Sequence, residues 1–266
     1  MASAASQLSQ VDVIVDEAPN SGIFNMSMDA ALLRLAPGRE HSVVRIYEWA
    51  EPTVTLGYFQ GAVQPEECPF PNLPIVRRLS GGGAILHDHE ITYSVVLPAS
   101  HPAKQNPSGI YDTVHRAIIG LLLECGLRCF LRCEFDAMNT RRSHAESGST
   151  AEPFLCFLRQ NPNDIVHQCG TKVVGSAQRR RKGVTLQHGS IILKASKITP
   201  QVHGIEDLGG RFQKTEFKQM LPNAIAEVIG CSTYRRQSTA IELSLAATIE
   251  TEMLGSAQET RSNHTG

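Results

Sequence analysis

The chain has 266 residues, of which 41% are hydrophobic and 19% are charged, and its formal net charge is −1. This length can bury a substantial core in one large domain, the balanced charge argues against a nucleic-acid or membrane partner, and no apolar run approaches transmembrane length. Seven cysteines, an odd number in a chain that needs no disulfide staples, favour reduced thiols and a cytoplasmic protein.

Small and polar residues at both ends predict disordered termini over residues 1–10 and 255–266. The N-terminus has neither the basic start and apolar core of a secretion signal nor the arginines of a transit peptide. Residues 11–254 show no internal repeat and no second complete domain. We therefore expect one domain over this range.

The first part of the chain predicts several strands and one helix. Alternating or β-branched patterns predict strands over residues 11–15, 43–48 and 54–58. Apolar side chains at helical spacing predict an amphipathic helix over residues 25–35 that lies on the sheet, with Asn25 or Ser27 as its N-cap. Trp49, the only tryptophan, is assigned to core packing on its residue type alone.

Residues 75–96 (IVRRLSGGGAILHDHEITYSVV) join two apolar runs through a charged pair and three consecutive glycines. The pattern predicts a strand, a tight glycine turn and a second strand. Glycines at such a turn let the backbone N–H groups approach an anion or a carbonyl oxygen. An ordinary hairpin loop with solvated charges explains the glycines equally well.

The rest of the chain predicts three helices and a flexible loop. The helices are predicted over residues 111–125, 216–229 and 240–254. Gly126 is placed as the C-terminal stop of the first helix, and Pro222 interrupts the second. Residues 139–153, rich in Ser, Ala and Gly, predict a flexible loop. Cysteines at positions 125, 129 and 133 lack the second cluster of a zinc site, so no metal site is predicted.

Two side chains that could take part in a chemical reaction lie between residues 154 and 178. Cys156, within FLCFLRQ, fits a small buried hydrophobe on residue type alone. Lys172, within GTKVVGSAQ, lies on an otherwise apolar strand, where a lysine must find a partner, reach an edge or lose its charge. Cys169 lies close enough to Lys172 in sequence to be an alternative nucleophile, although its strand position predicts burial.

Three segments, taken in order, resemble the lipoate-protein ligase and octanoyltransferase family. Residues 77–88 (RRLSGGGAILHD) resemble its ligand-binding signature, and residues 44–60 (VRIYEWAEPTVTLGYFQ) resemble its early Arg-x-Tyr-x-Trp strand and Thr-Leu-Gly turn. Residues 170–193 (GTKVVGSAQRRRKGVTLQHGSIIL) resemble its lysine motif. The resemblance implies an α/β (α+β) fold of the class II synthetase and biotin-protein-ligase type, with a mixed, largely antiparallel sheet and flanking helices.

The cysteine is similar in position to that of octanoyltransferases that carry an acyl-thioester cysteine upstream of the lysine. The resemblance implies that Cys156 is the nucleophile and that the Lys172 ammonium favours its thiolate and stabilises the oxyanion. It places Trp49 near the acyl pocket, and it leaves His87 either relaying a proton or only fixing the turn. The implied substrate-binding residues are Arg78, Gly81, Gly82, Gly83, Ala84, His87 and Ser176.

The implied activity is octanoyl transfer from acyl carrier protein to a lysine of a lipoyl domain or a glycine-cleavage H-type protein, without cofactor or metal. The alternative is an ATP-dependent lipoate-protein ligase, which would use ATP and Mg²⁺ and would leave Cys156 dispensable. An amidotransferase between lipoyl carriers would use the same cysteine. A biotin ligase is disfavoured because the glycine signature resembles the lipoyl branch, and a catalytically silent acyl-binding protein would need neither thiol nor lysine.

Two further segments are not explained by the motifs. Residues 143–152 are an insertion that the resemblance does not account for. The basic run Arg179, Arg180, Arg181 and Lys182 is either a solvated loop face or a surface that steers an acidic carrier toward the pocket.

Overall fold

The computed structural model describes residues 10–61, 69–70, 72–139 and 153–262, with side chains as far as residue 255. The strands are β1 (Gln10–Val15), β2 (Ser42–Tyr47), β3 (Thr53–Leu56), β4 (Ile75–Arg77), β5 (Ile85–His87), β6 (Glu90–Leu97), β7 (Cys129–Leu131), β8 (Ile165–His167), β9 (Lys172–Arg181), β10 (Val184–Ile192) and β11 (Ser232–Arg235). The helices are α1 (Gly22–Leu35), α2 (Gly109–Glu124), α3 (Arg132–Met138), α4 (Lys214–Ile229) and α5 (Ala240–Ser262).

Eight strands form one mixed sheet in the order β11-β1-β2-β6-β10-β9-β8-β7. Strand β1 runs parallel to both of its neighbours, and every other neighbouring pair in this sheet is antiparallel. A second sheet of three strands has the order β4-β3-β5. The mixed, largely antiparallel sheet with flanking helices that the resemblance implied is therefore confirmed.

The strand, glycine turn and second strand predicted within residues 75–96 are present as β4, the glycine segment (residues 78–84) and β5, but the two strands do not pair with each other, so the alternative of an ordinary hairpin is wrong. Strands β4 and β5 lie on opposite sides of β3, parallel to it in the first case and antiparallel in the second. The intervening strand is buried over its whole length, and it offers hydrogen bonds at both edges. Its edge partners include Arg78, whose backbone N–H donates to the carbonyl of Leu56. The glycine segment therefore crosses over β3 and does not close a hairpin.

Helices cover both faces of the large sheet. Helices α2 and α4 pack on one face, where Ile118 and Leu221 are among the buried residues. Helices α1 and α5 pack on the other face, where Leu32 meets Ile249. Successive residues of the sheet strands contribute to the two cores in alternation, as the two-residue period of a strand requires. Gly126 follows α2 with φ of +80°, as its predicted role of helix stop requires.

The predicted helices need four corrections, three of which concern α1 and α4. The N-cap of α1 is Ser21, whose Oγ accepts from the Phe24 N–H, because Asn25 and Ser27 lie inside the helix and are buried there. Helix α1 is also buried on most of its surface, because α5 covers the side that an amphipathic helix would expose. Helix α4 continues through Pro222, which is buried against the core.

The fourth correction concerns the C-terminus. Helix α5 extends to Ser262, eight residues past the predicted end at Leu254, so residues 255–262 have a helical backbone. A single Gly255 costs the helix only about 1 kcal/mol relative to alanine, and the helix continues through it. Of the predicted disordered termini, 1–10 and 255–266, residues 1–9 and 263–266 lie outside the described residues, and Gln10 is the first residue of β1. The insertion 143–152 also lies outside them, as does the predicted loop 139–153 except for Asn139 and Pro153. Within the described ranges, no helix combines the length and apolarity needed to cross a membrane.

A buried carboxylate joins α5 to the sheet and provides a test of the fold. Glu242 is fully buried and accepts hydrogen bonds from Arg236, Arg39 and the Thr239 N–H. Burial alone would raise its pKa, but these donors lower the pKa from 4.5 to about 2. A lowered pKa stabilises the fold above the unfolded value, and this contribution is lost as the pH falls from 4.5 toward 2.

We expect Glu242→Gln to lower the free energy of unfolding at pH 7 by about 3 kcal/mol. The difference from the natural protein should shrink as the pH falls toward 2, and denaturant titrations at several pH values measure it. Glu252→Gln is the matched control, because Glu252 pairs with Arg34 on the exposed surface of the same helix. Equal stability of the Glu242 variant at pH 7 would contradict the assignment.

Candidate active site

A cavity of about 310 Å³ is lined by residues of both sheets. Eight of the nine residues implied by the family resemblance line it, namely Arg78, Gly81, Gly82, Gly83, His87, Cys156, Lys172 and Ser176. The ninth, Ala84, is buried beside the cavity and contacts the site through its backbone. The topology therefore brings together residues from the glycine segment, the cysteine segment and β9.

Cys156 begins a short 3₁₀ helix, Cys156–Leu158, beside the glycine segment. A parallel β-bridge joins Leu155 to Ala84, and the Cys156 N–H donates to the Ala84 carbonyl at 2.7 Å. This backbone contact holds the partly exposed thiol against the cavity, where its Sγ lies 3.9 Å from Lys172 Nζ. The role of Ala84 is thus to position the cysteine.

Lys172 is the first residue of β9 and is buried. Its ammonium donates to Asp164 Oδ2 at 3.0 Å and to the Cys156 carbonyl at 3.1 Å. It also lies 5.0 Å from the centre of the Phe157 ring. A Cβ added at Gly175 would lie 2.8 Å from Lys172 Cε, so this glycine leaves the space that the lysine side chain occupies.

Asp164 is a site residue that sequence reasoning missed. It lines the cavity, and its Oδ2 accepts from the Asn161 N–H as well as from Lys172. Burial raises the pKa of the Asp164 carboxyl, and the Lys172 ammonium opposes this shift. The sequence did contain a signal for Asp164. A buried lysine needs a partner, and Asp164 is the nearest acidic residue that precedes Lys172 in the sequence.

Arg78 holds the glycine segment through hydrogen bonds to its backbone carbonyls. Its guanidinium donates to the carbonyls of Thr55, Gly81 and Gly83 at 2.7–3.1 Å. Burial lowers the pKa of Arg78 to about 10, and the neighbouring Cys156 side chain opposes this shift, so the guanidinium remains cationic at neutral pH. Since the arginine binds the carbonyl oxygens, the segment is held in one conformation.

The glycine amides remain available to a substrate. Among the described residues, the N–H groups of Gly81, Gly82 and Gly83 donate to no protein acceptor. Gly82 has φ of +99°, a value that favours glycine. A Cβ added at Gly57 would lie 2.0 Å from the Gly82 oxygen, so a side chain at position 57 would prevent this close contact between the two backbone segments. Such amides are suited to stabilise a developing oxyanion.

His87 and Trp49 form one wall of the cavity. Their rings stack at 3.8 Å with an interplanar angle of 14°. His87 Nδ1 pairs with Glu90 Oε1 and its Nε2 with Thr55 Oγ1, both at 2.8 Å, and burial lowers the pKa of this histidine. Trp49 Nε1 donates to Thr92 Oγ1 at 2.8 Å. Because both imidazole nitrogens are engaged, the geometry favours a wall-fixing role for His87 over a proton relay.

Ser176 belongs to a directional hydrogen-bond chain that includes a second missed residue, His115. His115 Nδ1–H donates to the Asn163 carbonyl at 2.5 Å, so its Nε2 accepts from Ser176 Oγ at 2.7 Å. Ser176 in turn accepts from the Tyr93 hydroxyl at 2.7 Å. Burial lowers the pKa of His115 to about 4, which keeps it neutral. His115 thereby links the β9 wall to the turn that carries Asp164.

A second histidine of the cavity lining, His188, forms a Ser–His–Asp arrangement with two residues outside the lining. His188 Nε2 accepts from Ser80 Oγ at 2.5 Å, and His188 Nδ1–H donates to Asp29 Oδ2 at 3.0 Å. Burial opposes ionisation of Asp29, but His188 and Arg45 hold its pKa below the usual value. Ser80 is fully buried and does not line the cavity, so this trio supports the wall and offers no nucleophile.

The other cysteines that the structure describes lie outside the cavity. Cys169 is exposed, contrary to the predicted burial, because it lies on the turn between β8 and β9. Its Sγ contacts His167 Nδ1 at 3.0 Å and Thr171 Oγ1 at 3.2 Å. Burial raises the pKa of the Cys129 thiol to about 12. In the part of the chain that the structure describes, no group of three or more His, Cys, Asp or Glu side chains could hold a metal ion.

Comparison with known proteins gives a consistent result. The family model described as the lipoyl protein ligase A/B catalytic domain matches residues 21–253. Proteins named Octanoyltransferase LipM are 37% identical over 65% of this chain in Macrococcus caseolyticus and 38% identical over 68% in Brevibacillus brevis. The chain spans 62% and 64% of the lengths of these two relatives.

Solved structures share the fold. The bipartite lipoate-protein ligase of Thermoplasma acidophilum, studied with its E2 lipoyl domain, has a TM-score of 0.68 at 19% identity, with 92% of each chain covered. Lipoate-protein ligase A bound with ATP has a TM-score of 0.68 at 20% identity, with 91% of this chain and 94% of that chain covered. At these identities the likeness concerns the fold alone.

Proposed function

The chain belongs to the lipoyl protein ligase A/B catalytic-domain family, and we propose that it is an octanoyltransferase that works through a thioester on Cys156. The observation that carries this proposal is the 3.9 Å separation of Cys156 Sγ and Lys172 Nζ at a cavity lined by free glycine amides. The relatives named as octanoyltransferases support it. We propose octanoyl-acyl carrier protein as the donor, and a lipoyl domain or an H-type protein as the acceptor.

In the first step, the Cys156 thiolate attacks the carbonyl carbon of the donor thioester. The new C–S bond forms, the bond to the donor sulfur breaks, and the donor thiolate takes up a proton from solvent. The Lys172 ammonium lies where it can favour the attacking thiolate. The same ammonium and the amides of Gly81, Gly82 and Gly83 provide electrostatic stabilisation for the tetrahedral oxyanion.

In the second step, the neutral amine of the acceptor lysine attacks the acyl-cysteine. An amide bond forms, the Cys156 C–S bond breaks, and the amine loses its extra proton to solvent. Lys172 again faces the charge, now on the departing thiolate. The two half-reactions predict ping-pong kinetics. The thioester is already activated, so no step needs a nucleotide or a metal.

The ATP-dependent ligase remains the second candidate, because a ligase with bound ATP shares this fold. The reaction of a ligase does not use Cys156, so the contact between its thiol and the buried Lys172 would have no function there. The thiol–ammonium pair therefore favours transfer. An amidotransferase would use the same pair with an octanoylated carrier domain as donor.

Turnover assays with defined donors separate these activities. With octanoyl-acyl carrier protein and a lipoyl domain, we expect amide-linked octanoyl to accumulate on the acceptor at the same rate with and without ATP and Mg²⁺. Modification that requires free lipoate or octanoate plus ATP would assign the protein to the ligases. Exclusive use of an octanoylated H-type protein as donor would assign it to the amidotransferases.

A further inference from the structure

The basic run at the β9–β10 hairpin carries charge that the fold itself does not neutralise. Arg180, Arg181 and Lys182 are exposed, and the turn uses the positive φ angles of Lys182 and Gly183. In the described ranges, no carboxylate lies within ion-pair distance of these side chains or of Arg179. Since the whole chain has a net charge of −1, this positive patch is a local feature.

Two exposed aromatic residues extend the basic run toward the cavity. Tyr58 and Phe59, on the turn after β3, are 43% and 82% exposed. The Arg179 guanidinium lies 4.5 Å from the centre of the Tyr58 ring. The Phe59 ring lies 3.6 Å from where a Cβ on Gly81 would be, beside the cavity. We call Tyr58, Phe59, Arg179, Arg180, Arg181 and Lys182 the basic-aromatic surface.

The basic-aromatic surface adjoins the cavity but lies at a distance from the Cys156 sulfur. On β9, Ser176 and Gln178 line the cavity, and the arginines follow directly. Arg180 donates to Gln178 Oε1 at 2.7 Å, which couples the surface to the cavity wall. Arg180 lies eight positions after Lys172 on β9, a distance of about 26 Å along an extended strand.

From this placement we infer that the basic-aromatic surface docks the donor, an acidic carrier protein that presents its acyl thioester on a long phosphorylated arm. The inference rests on the proposed function. When a long arm places the thioester at Cys156, the folded domain of the carrier lies at the other end of that arm, at the distance where the arginines lie. An acceptor lysine is short, so its domain has to approach the cavity mouth itself. Exposed aromatic and arginine side chains are also typical interface anchors.

The test uses Arg181→Gln/Lys182→Asn, with asparagine chosen because it tolerates the positive φ at position 182. The matched control is Lys194→Gln/Lys197→Gln, which removes two exposed cations beyond the opposite end of β10. Single-turnover acylation of Cys156 is measured with octanoyl-carrier protein and with octanoyl-pantetheine, which is uncharged and has no protein body. Transfer from the preformed acyl-enzyme to a lipoyl domain is measured separately.

At low salt, we expect the test variant to acylate about tenfold more slowly with the carrier donor, and the difference to shrink at high salt. Its rates with octanoyl-pantetheine and in acceptor transfer should match those of the natural protein, and the control should match in all assays. An unchanged rate with the carrier donor, or a loss confined to acceptor transfer, would overturn the inference. Failure of both donors to acylate Cys156 of the natural protein would overturn the proposed function beneath it.

Discussion

Replacing Cys156 with alanine is expected to lower ATP-independent octanoyl transfer by at least about 10³-fold. The thiol is the one nucleophile at the cavity that faces a buried ammonium among the described residues. Its loss removes the acyl-enzyme intermediate altogether, so direct aminolysis is the only remaining route. The rate of amide formation on a lipoyl domain, followed by intact mass, measures the effect.

Cys169→Ala is the matched control for this variant. Cys169 is also a free thiol close to Lys172 in sequence, but it is exposed and lies outside the cavity. We expect its replacement to leave turnover within about twofold of the natural rate. Normal turnover by Cys156→Ala, or loss of turnover on replacing Cys169, would contradict the assignment of the nucleophile.

Replacing Lys172 with methionine is expected to slow Cys156 acylation by about 10² to 10³-fold. Methionine fills similar space but cannot stabilise the thiolate or the oxyanion, and it leaves the buried Asp164 carboxylate without its partner. Single-turnover acylation measures the chemical step. Alkylation of Cys156 by iodoacetamide at neutral pH should slow as well, because the ammonium that favours the thiolate is absent.

Two further variants test whether slow acylation by Lys172→Met results from the loss of the ammonium at this position. Asp164→Asn should slow acylation by about tenfold, because the lysine keeps its charge but exchanges the carboxylate that orients it for an uncharged and weaker amide acceptor. Lys197→Met, which removes an exposed cation, should have no effect. Rapid acylation by Lys172→Met, with unchanged alkylation, would show that the ammonium does not act on the sulfur.

Sequence patterns predicted most helices and strands of the large sheet because their periodicity is local. The helix with Gly126 as its stop is one example, and the strand over residues 11–15 is another. Pairing between distant strands is not local, which explains why the residues of the glycine segment could not exclude an ordinary hairpin. Nothing in its residues indicates that β3 separates β4 from β5.

The same limit applies to the site. Motif resemblance supplied residues that now line one cavity, including Arg78 and Lys172. It did not supply His115, which is 61 residues from its partner Ser176 and reaches it only because α2 packs on the sheet. Asp164 was closer to prediction, because a buried lysine requires a partner. Residue types alone assigned Trp49 to packing, and the structure gives it both packing and cavity-lining contacts.

The most direct test of the thiol–ammonium mechanism is peptide mapping of the natural protein after brief incubation with octanoyl-acyl carrier protein and no nucleotide. We expect one octanoyl group on the peptide that contains Cys156, released by hydroxylamine as a thioester should be, and absent from Cys156→Ala. An octanoyl group on Cys169, or acceptor modification without any enzyme-bound octanoyl on Cys156, would contradict the mechanism.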